Sequence, residues 1–437
     1  MPSTLLSRAA ARRHIHYGWI VAAVTFLTML VTAGAVGAPG VFIVPLEKEF
    51  GWSTADISTA LALRLGLFGL MGPFAAAFMN RFGVRRVASC ALMLILSGLV
   101  GSLWMTEIWQ LVLLWGIVVG LGTGLTALVL GATVATQWFS ARRGLVVGCL
   151  TASTATGQLV FLPLLAQMTE TYGWRYALGV VLALIVLAII AVLTLMQDRP
   201  SDLGLAPYGG TEVVFPPAQA MPLRTLVTSP LIALRDAGRT RVFWVLFGTF
   251  FVCGASTNGL IQTHFVAMCG DFGVAAVGAA GILAVIGIFD FFGTVASGWM
   301  SDRFDNRRLL FWYYGLRGLS LIYLPFTDFT FYGLSFFAVF YGLDWVATVP
   351  PTVALAARAF GRERANLVFG WVFAGHQLGA ATAAYGAGLT RTLASTYLPA
   401  FFIAGILCLL AALAVLTIRM PGEPAARSSL DPIPAKA

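Results

Sequence analysis

GIFDFFGTVASGWMSDRFDNRR, Gly287 to Arg308, decides how the rest of this 437-residue chain is read. A lone acid, Asp290, stands inside a run of apolar and small residues that opens near Ala275 and ends at Met300. A charged turn with Asp302, Arg303, Arg307 and Arg308 follows. An ionisable side chain at mid-depth of a membrane helix costs about 2.5–3.5 kcal/mol on insertion scales, so it is seldom left facing lipid. A second apolar run closed by a basic turn, NRFGVRR (Asn80 to Arg86), lies in the first half of the chain. Two such units point to an internal duplication, a plan that secondary carriers use.

Composition agrees. Hydrophobic residues make up 59% of the chain and charged ones only 10%, against about 25% charged in soluble domains. The net charge of +9 would suggest nucleic acid in a soluble protein. Here it is nearly all arginine in turns between apolar runs, where it reads as membrane topology. The five cysteines are odd in number, lie mostly inside apolar runs and show no CxxC or Cys/His spacing. Neither a disulfide framework nor a metal site is expected, and no cofactor is called for.

At about 20 apolar residues per spanning helix, twelve spans can be laid out. They cover 17–44, 54–79, 87–105, 110–136, 145–168, 176–196, 241–267, 275–299, 309–326, 330–356, 367–388 and 398–418. The expected fold is an all-α membrane protein of two pseudo-symmetric six-helix bundles, 1–196 and 241–420. A polar central loop, 197–240, joins them, and a tail, 421–437, follows. Twenty-two basic residues fall on one side of this layout and Lys48, Arg175 and Arg391 on the other, with Arg64 and Arg317 inside spans. The positive-inside rule makes the rich side, both termini and the central loop cytoplasmic. The N-terminal basic stretch leads into a retained first helix, because the apolar run after it is too long for a signal peptide and lacks a cleavage site. Glycine-rich spans such as GHQLGAATAAYGAG (Gly375 to Gly388) suit close helix packing in lipid.

The turn SDRFDNRR, its weaker copy NRFGVRR and the six-plus-six layout resemble the major facilitator superfamily. That family's loop motif is matched by Gly298, Asp302, Arg303, Arg307 and Arg308 in the second copy. The first copy keeps Arg81, Gly83, Arg85 and Arg86, with Ala76 and Asn80 replacing a glycine and an aspartate. The resemblance implies a gating latch at these loops, weakened in the first half by the lost acid. YGWIV (Tyr17 to Val21), VPLEKEFGWSTADIS (Val44 to Ser58), WFSARRGLVVG (Trp138 to Gly148), GWR (Gly173 to Arg175) and RPSDLGLAPYG (Arg199 to Gly209) are similar to the bacterial monocarboxylate-transporter and oxalate/formate-antiporter-like group. Of the basic residues that the oxalate/formate exchanger carries on helices eight and eleven, His376 is the one candidate counterpart. Asp290 is followed at the fourth position by Thr294, where animal monocarboxylate transporters carry arginine, and the helix-one lysine is absent.

Five ionisable residues fall near mid-span: Arg64, Asp290, Arg317, Asp344 and His376. Each must face a cavity, pair, or be neutral. Asp344, followed by Pro350 and Pro351, and Asp290 are candidates for loading and releasing a proton, the alternative being a permanent ion pair. His376 could relay a proton or contact an anion, and interhelical hydrogen bonding explains it equally. Arg64 is the candidate carboxylate ligand, since guanidinium stays charged and contacts carboxylate with two prongs. A structural role fits Arg317 better, because the resemblance puts its span outside the cavity. Asn258 and Gln262, four apart on one helix face, and Gln158 could complete a substrate site.

The expected function is a secondary carrier of a small organic anion, a monocarboxylate, coupled to protons and working by alternating access in a bacterial inner membrane. The expected partners are that anion, a proton and the bilayer, with no nucleic acid and a monomeric chain. A proton-driven exporter of drugs or other amphipathic compounds remains the alternative. An ATP-driven pump, an enzyme and a channel are disfavoured, since no Walker run, catalytic motif or repeated filter sequence occurs.

Overall fold

Every apolar run is helical in the computed structural model, which describes residues 16–126, 128–213 and 223–419. The expected tails lie largely outside that range. In the first half the helices are α1 (Gly18–Phe50), α2 (Thr54–Phe82), α3 (Val84–Gly101), α4 (Ile108–Trp138), α5 (Arg143–Val160, continued by Leu162–Tyr172) and α6 (Trp174–Leu195). In the second they are α7 (Arg241–Asp271), α8 (Ala276–Ser301), α9 (Asn306–Tyr323), α10 (Phe331–Asp344, continued by Val349–Phe360), α11 (Arg362–Ala394) and α12 (Leu398–Val415). Among the described residues nine of these are long and apolar enough to cross a bilayer; α5, α9 and α11 are the others.

Several helices outrun the hydropathy-based spans, α1 at its end and α11 at both. The Ser53 hydroxyl accepts from the Asp56 amide, and the Asp56 carboxylate accepts from the Ser53 amide, so α2 starts on a reciprocal cap. The central loop also contains structure that composition hid. Leu223–Ala237 is a helix, and Tyr208 donates its amide to the Trp138 carbonyl and accepts from the amides of Ser140 and Ala141, which straps this stretch to the end of α4.

The two halves carry matching bonds. Arg85 at the start of α3 donates to the Leu193 carbonyl near the end of α6, and Arg307 at the start of α9 donates to the Ile418 carbonyl just past α12, at 3.1 Å. At the opposite end, Glu49 pairs with Arg175 at 2.5 Å and Asp271 with Arg391 at 2.8 Å. Two of the three basic residues on the arginine-poor side are therefore neutralised by carboxylates. The halves meet where α2 packs on α11, α5 on α8, and the C-terminal part of α1 on that of α7. Small residues permit this closeness within a half as well. A Cβ on Gly379 of α11 would overlap the Phe251 carbonyl of α7.

Candidate functional site

Arg64 is ten residues into α2, about 15 Å along its axis, and only 3% exposed. Its Nη1 and Nη2 donate to the carbonyls of Ala35 and Val36 at 3.2 and 2.9 Å, just before Pro39 kinks α1. Its Nε has no partner, and no carboxylate pairs with it among the described residues. A buried cation satisfied only by carbonyl dipoles keeps an unspent demand for an anion.

Asn258 and Gln262 face Arg64 from the other half. Together with Val36, Gly37, Gly40, Leu61, Leu65 and Thr263 they line one crevice. Both lie in a π-helical stretch of α7, Ala255–Gln262, and the Thr263 side-chain hydroxyl donates to the Asn258 carbonyl at 2.7 Å. Such wide turns occur often at functional sites. Both amide atoms of the Gln262 side chain are buried without a hydrogen-bond partner. The crevice leaves no room for a water molecule, so the site is shut in this conformation. It is shut partly by Gly40, where a Cβ would lie 2.6 Å from the Gln262 carbonyl.

The acids sit elsewhere, around a break in α10. Asp290 Oδ1 accepts from the Thr294 hydroxyl and from the Val346 amide, both at 2.9 Å. Asp344 Oδ2 accepts from Arg317 Nε at 2.7 Å, while Oδ1 is buried with no partner. Arg317 also donates through Nη2 to the carbonyls of Asp344 and Trp345, at 2.5 and 3.1 Å, and through Nη1 to Cys253 Sγ at 2.9 Å. Ser297 completes the set by donating to the Ala347 carbonyl, which Pro351 cannot reach for want of an amide hydrogen. Asp290, Ser297 and Arg317 thus hold the unwound turn from α8 and α9, and Cys253 of α7 contacts the Thr348 hydroxyl within it at 3.3 Å. Arg317 shares this cluster with two carboxylates, an arrangement in which one added proton balances the charge.

The remaining candidates separate. His376 is 8% exposed, stacked on Phe373 and packed against Phe250, with Nδ1 unpartnered. The Gln158 side chain lies outside the described residues. His264 bonds the Ala384 carbonyl at 2.8 Å beside Tyr397.

At the loop motif, Arg303 packs over Trp299 and Arg81 over Phe82. Asp302 and Gly298 stand at the end of α8, and Asp305 caps α9 by accepting from the Arg307 amide at 2.8 Å. The Arg307 guanidinium also binds this carboxyl and holds it below the usual carboxylate range. In the first copy the cap comes from Asp198, which accepts from the Arg85 amide at 2.8 Å. Gly83, at φ +89°, leaves room for that carboxylate; a Cβ there would lie 2.5 Å from it. Asp198 and Ser297 carry no sequence signal that would single them out, and Thr294 stands out only as the residue in place of an arginine.

The Major Facilitator Superfamily family model matches residues 25–384, with a second match over 298–436. An uncharacterized MFS-type transporter of Bacillus subtilis, YcxA, is 23% identical over 87% of this chain and 90% of its own length. Monocarboxylate transporter 13 of Rattus norvegicus is 28% identical over 89% and 86% respectively. Monocarboxylate transporter 12-B of Danio rerio is 25% identical over 96% and 91%. Among solved structures, the xylose transporter XylE from E. coli superposes with a TM-score of 0.69 at 16% identity, covering 94% of this chain and all of the other.

Proposed function

This chain belongs to the Major Facilitator Superfamily of membrane transporters, and from that premise we propose that it carries a small monocarboxylate together with a proton by alternating access. One observation carries the anion assignment: Arg64 is buried at the seam between the halves with no carboxylate partner among the described residues, facing the unpartnered amide of Gln262. A carboxylate entering the crevice neutralises the guanidinium with charge-assisted hydrogen bonds. Asn258 and Gln262 then bind its remaining polar atoms from the opposite half. The relatives named monocarboxylate transporters support the same substrate class.

Proton coupling is assigned to the α10 cluster. A proton on Asp290 or Asp344 relieves the excess negative charge around Arg317 and loosens the held turn, so that α10 can change shape as access alternates. The multi-pass protein is assigned to a bacterial inner membrane with its arginine-rich side in the cytoplasm. Uptake of radiolabelled short monocarboxylates into proteoliposomes under an imposed pH gradient tests the reading. Gradient-dependent accumulation that Arg64→Gln eliminates supports it; no uptake of any monocarboxylate overturns it.

A further inference from the structure

The helix Leu223–Ala237 lies between the halves and belongs to neither bundle. It packs on both α2 and α11. Trp371 of α11 donates its indole hydrogen to the Pro230 carbonyl at 2.8 Å, and Ala237 is buried. Trp371 is nine residues from the start of α11, about 13 Å along the axis. The 33 residues of α11 span about 50 Å, which exceeds the hydrocarbon slab of about 30 Å by about 10 Å at each end. The connecting helix therefore lies at the level where acyl chains meet headgroups.

Its outward face suits that depth. Val227, Leu231 and Ile232 are 46%, 45% and 48% exposed, and exposed Arg224 and Arg235 lie on the same side at helical spacing. Exposed Arg239 and Arg241 follow. The one acid of the segment, Asp236, contacts Arg235 at 3.3 Å. Next to them Trp244 is 57% exposed and donates to the Gly238 carbonyl at 2.7 Å, an amphipathic ring placed as in an interfacial belt.

We propose that this face docks anionic phospholipid headgroups of the leaflet on the arginine-rich side, with the apolar strip seated among the acyl chains. An apolar strip flanked by arginines matches a surface that is oily within and negative above. A soluble anion would leave the strip uncovered. Because the helix touches both α2 and α11, the lipid contact bears on both halves at once.

The test measures amide hydrogen exchange across residues 223–241 of the whole protein in phosphatidylcholine nanodiscs, with and without phosphatidylglycerol. Slower exchange with phosphatidylglycerol, reversed by high salt, is expected. In mixed micelles, phosphatidylglycerol should raise the melting temperature saturably. Arg224→Gln and Arg239→Gln should each raise the half-saturating lipid fraction about fivefold, the weight of one arginine at a charged surface. Equal exchange in both lipids overturns the proposal, as do variants that titrate like the parent. Each variant's melting temperature in phosphatidylcholine alone shows whether it has folded.

Discussion

Arg317 on α9 and Asp344 on α10 meet at 2.7 Å, Nε to Oδ2, with the arginine side chain fully out of solvent. The same guanidinium holds two carbonyls of the turn in which Asp344 lies. The pair is thus a splint for a broken helix as well as a charge contact. A splint of this kind fails when either partner changes its charge.

Asp344→Asn leaves the Arg317 cation buried without its partner. Losing one member of a buried pair costs about 3–5 kcal/mol, so a clear drop in melting temperature is expected. Replacing both, Asp344→Leu with Arg317→Met, should recover only part of that loss, because apolar side chains can match a desolvated pair but leave the two turn carbonyls without their donor. Neither variant should accumulate substrate against a gradient. Thermal melts alongside proteoliposome uptake check both statements.

Arg64→Gln removes the one buried guanidinium that lines the seam crevice among the described residues and should weaken substrate binding. Hydrogen bonds to charged groups are worth about 1.5–3 kcal/mol, which corresponds to an affinity loss of roughly 10- to 150-fold. Stability should change little, since the lost partners are two helix carbonyls near a kink. Substrate-induced shifts in melting temperature provide the measurement.

Gly379→Val forces a branched side chain into the Phe251 carbonyl. The helices α7 and α11 must then separate, and overpacking of this kind costs typically about 1–3 kcal/mol, sometimes more. Reduced yield and a lower melting temperature are expected, with Gly379→Ala intermediate.

At the charged turn, Asp305 titrates below its ordinary value because Arg307 binds its charged form. Its contribution is therefore fully present above the unfolded value of about 3.9 and is lost as pH falls through the folded one. The carboxyl is 36% exposed, so solvent screening keeps the effect small, below about 1 kcal/mol. The gap in melting temperature between the parent and Asp305→Asn should be present at pH 6 and narrow below pH 4.

Much of the architecture was legible in the sequence, because a bilayer permits few ways to bury a backbone. The twelve runs, the polar join and the paired basic turns each follow from hydropathy and charge. The grouping of Arg64, Asn258 and Gln262 was legible in part: each residue is conspicuous as a polar group in an apolar run. Their meeting across the seam depends on how the halves dock, which no local pattern encodes. For Asp344 and Asp290 the sequence left a pair or a proton site open, and it could not reveal that Asp290 and Arg317, the partner of Asp344, hold the same turn of α10. The helix at 223–237 escaped notice because Pro230 and the surrounding prolines read as loop.

The bonds from Arg85 to Leu193 and from Arg307 to Ile418 never leave their own block of six helices. Each block is fastened independently, so a change in one fastening need not be answered in the other. Asp198, borrowed from beyond α6, takes up the capping work at Arg85 that Asp305 performs beside Arg307. That autonomy gives the asymmetry of the duplicated turns a physical reading: Gly83 can stand where its counterpart, Asp305, is an acid, because the first block is buttoned from a different place.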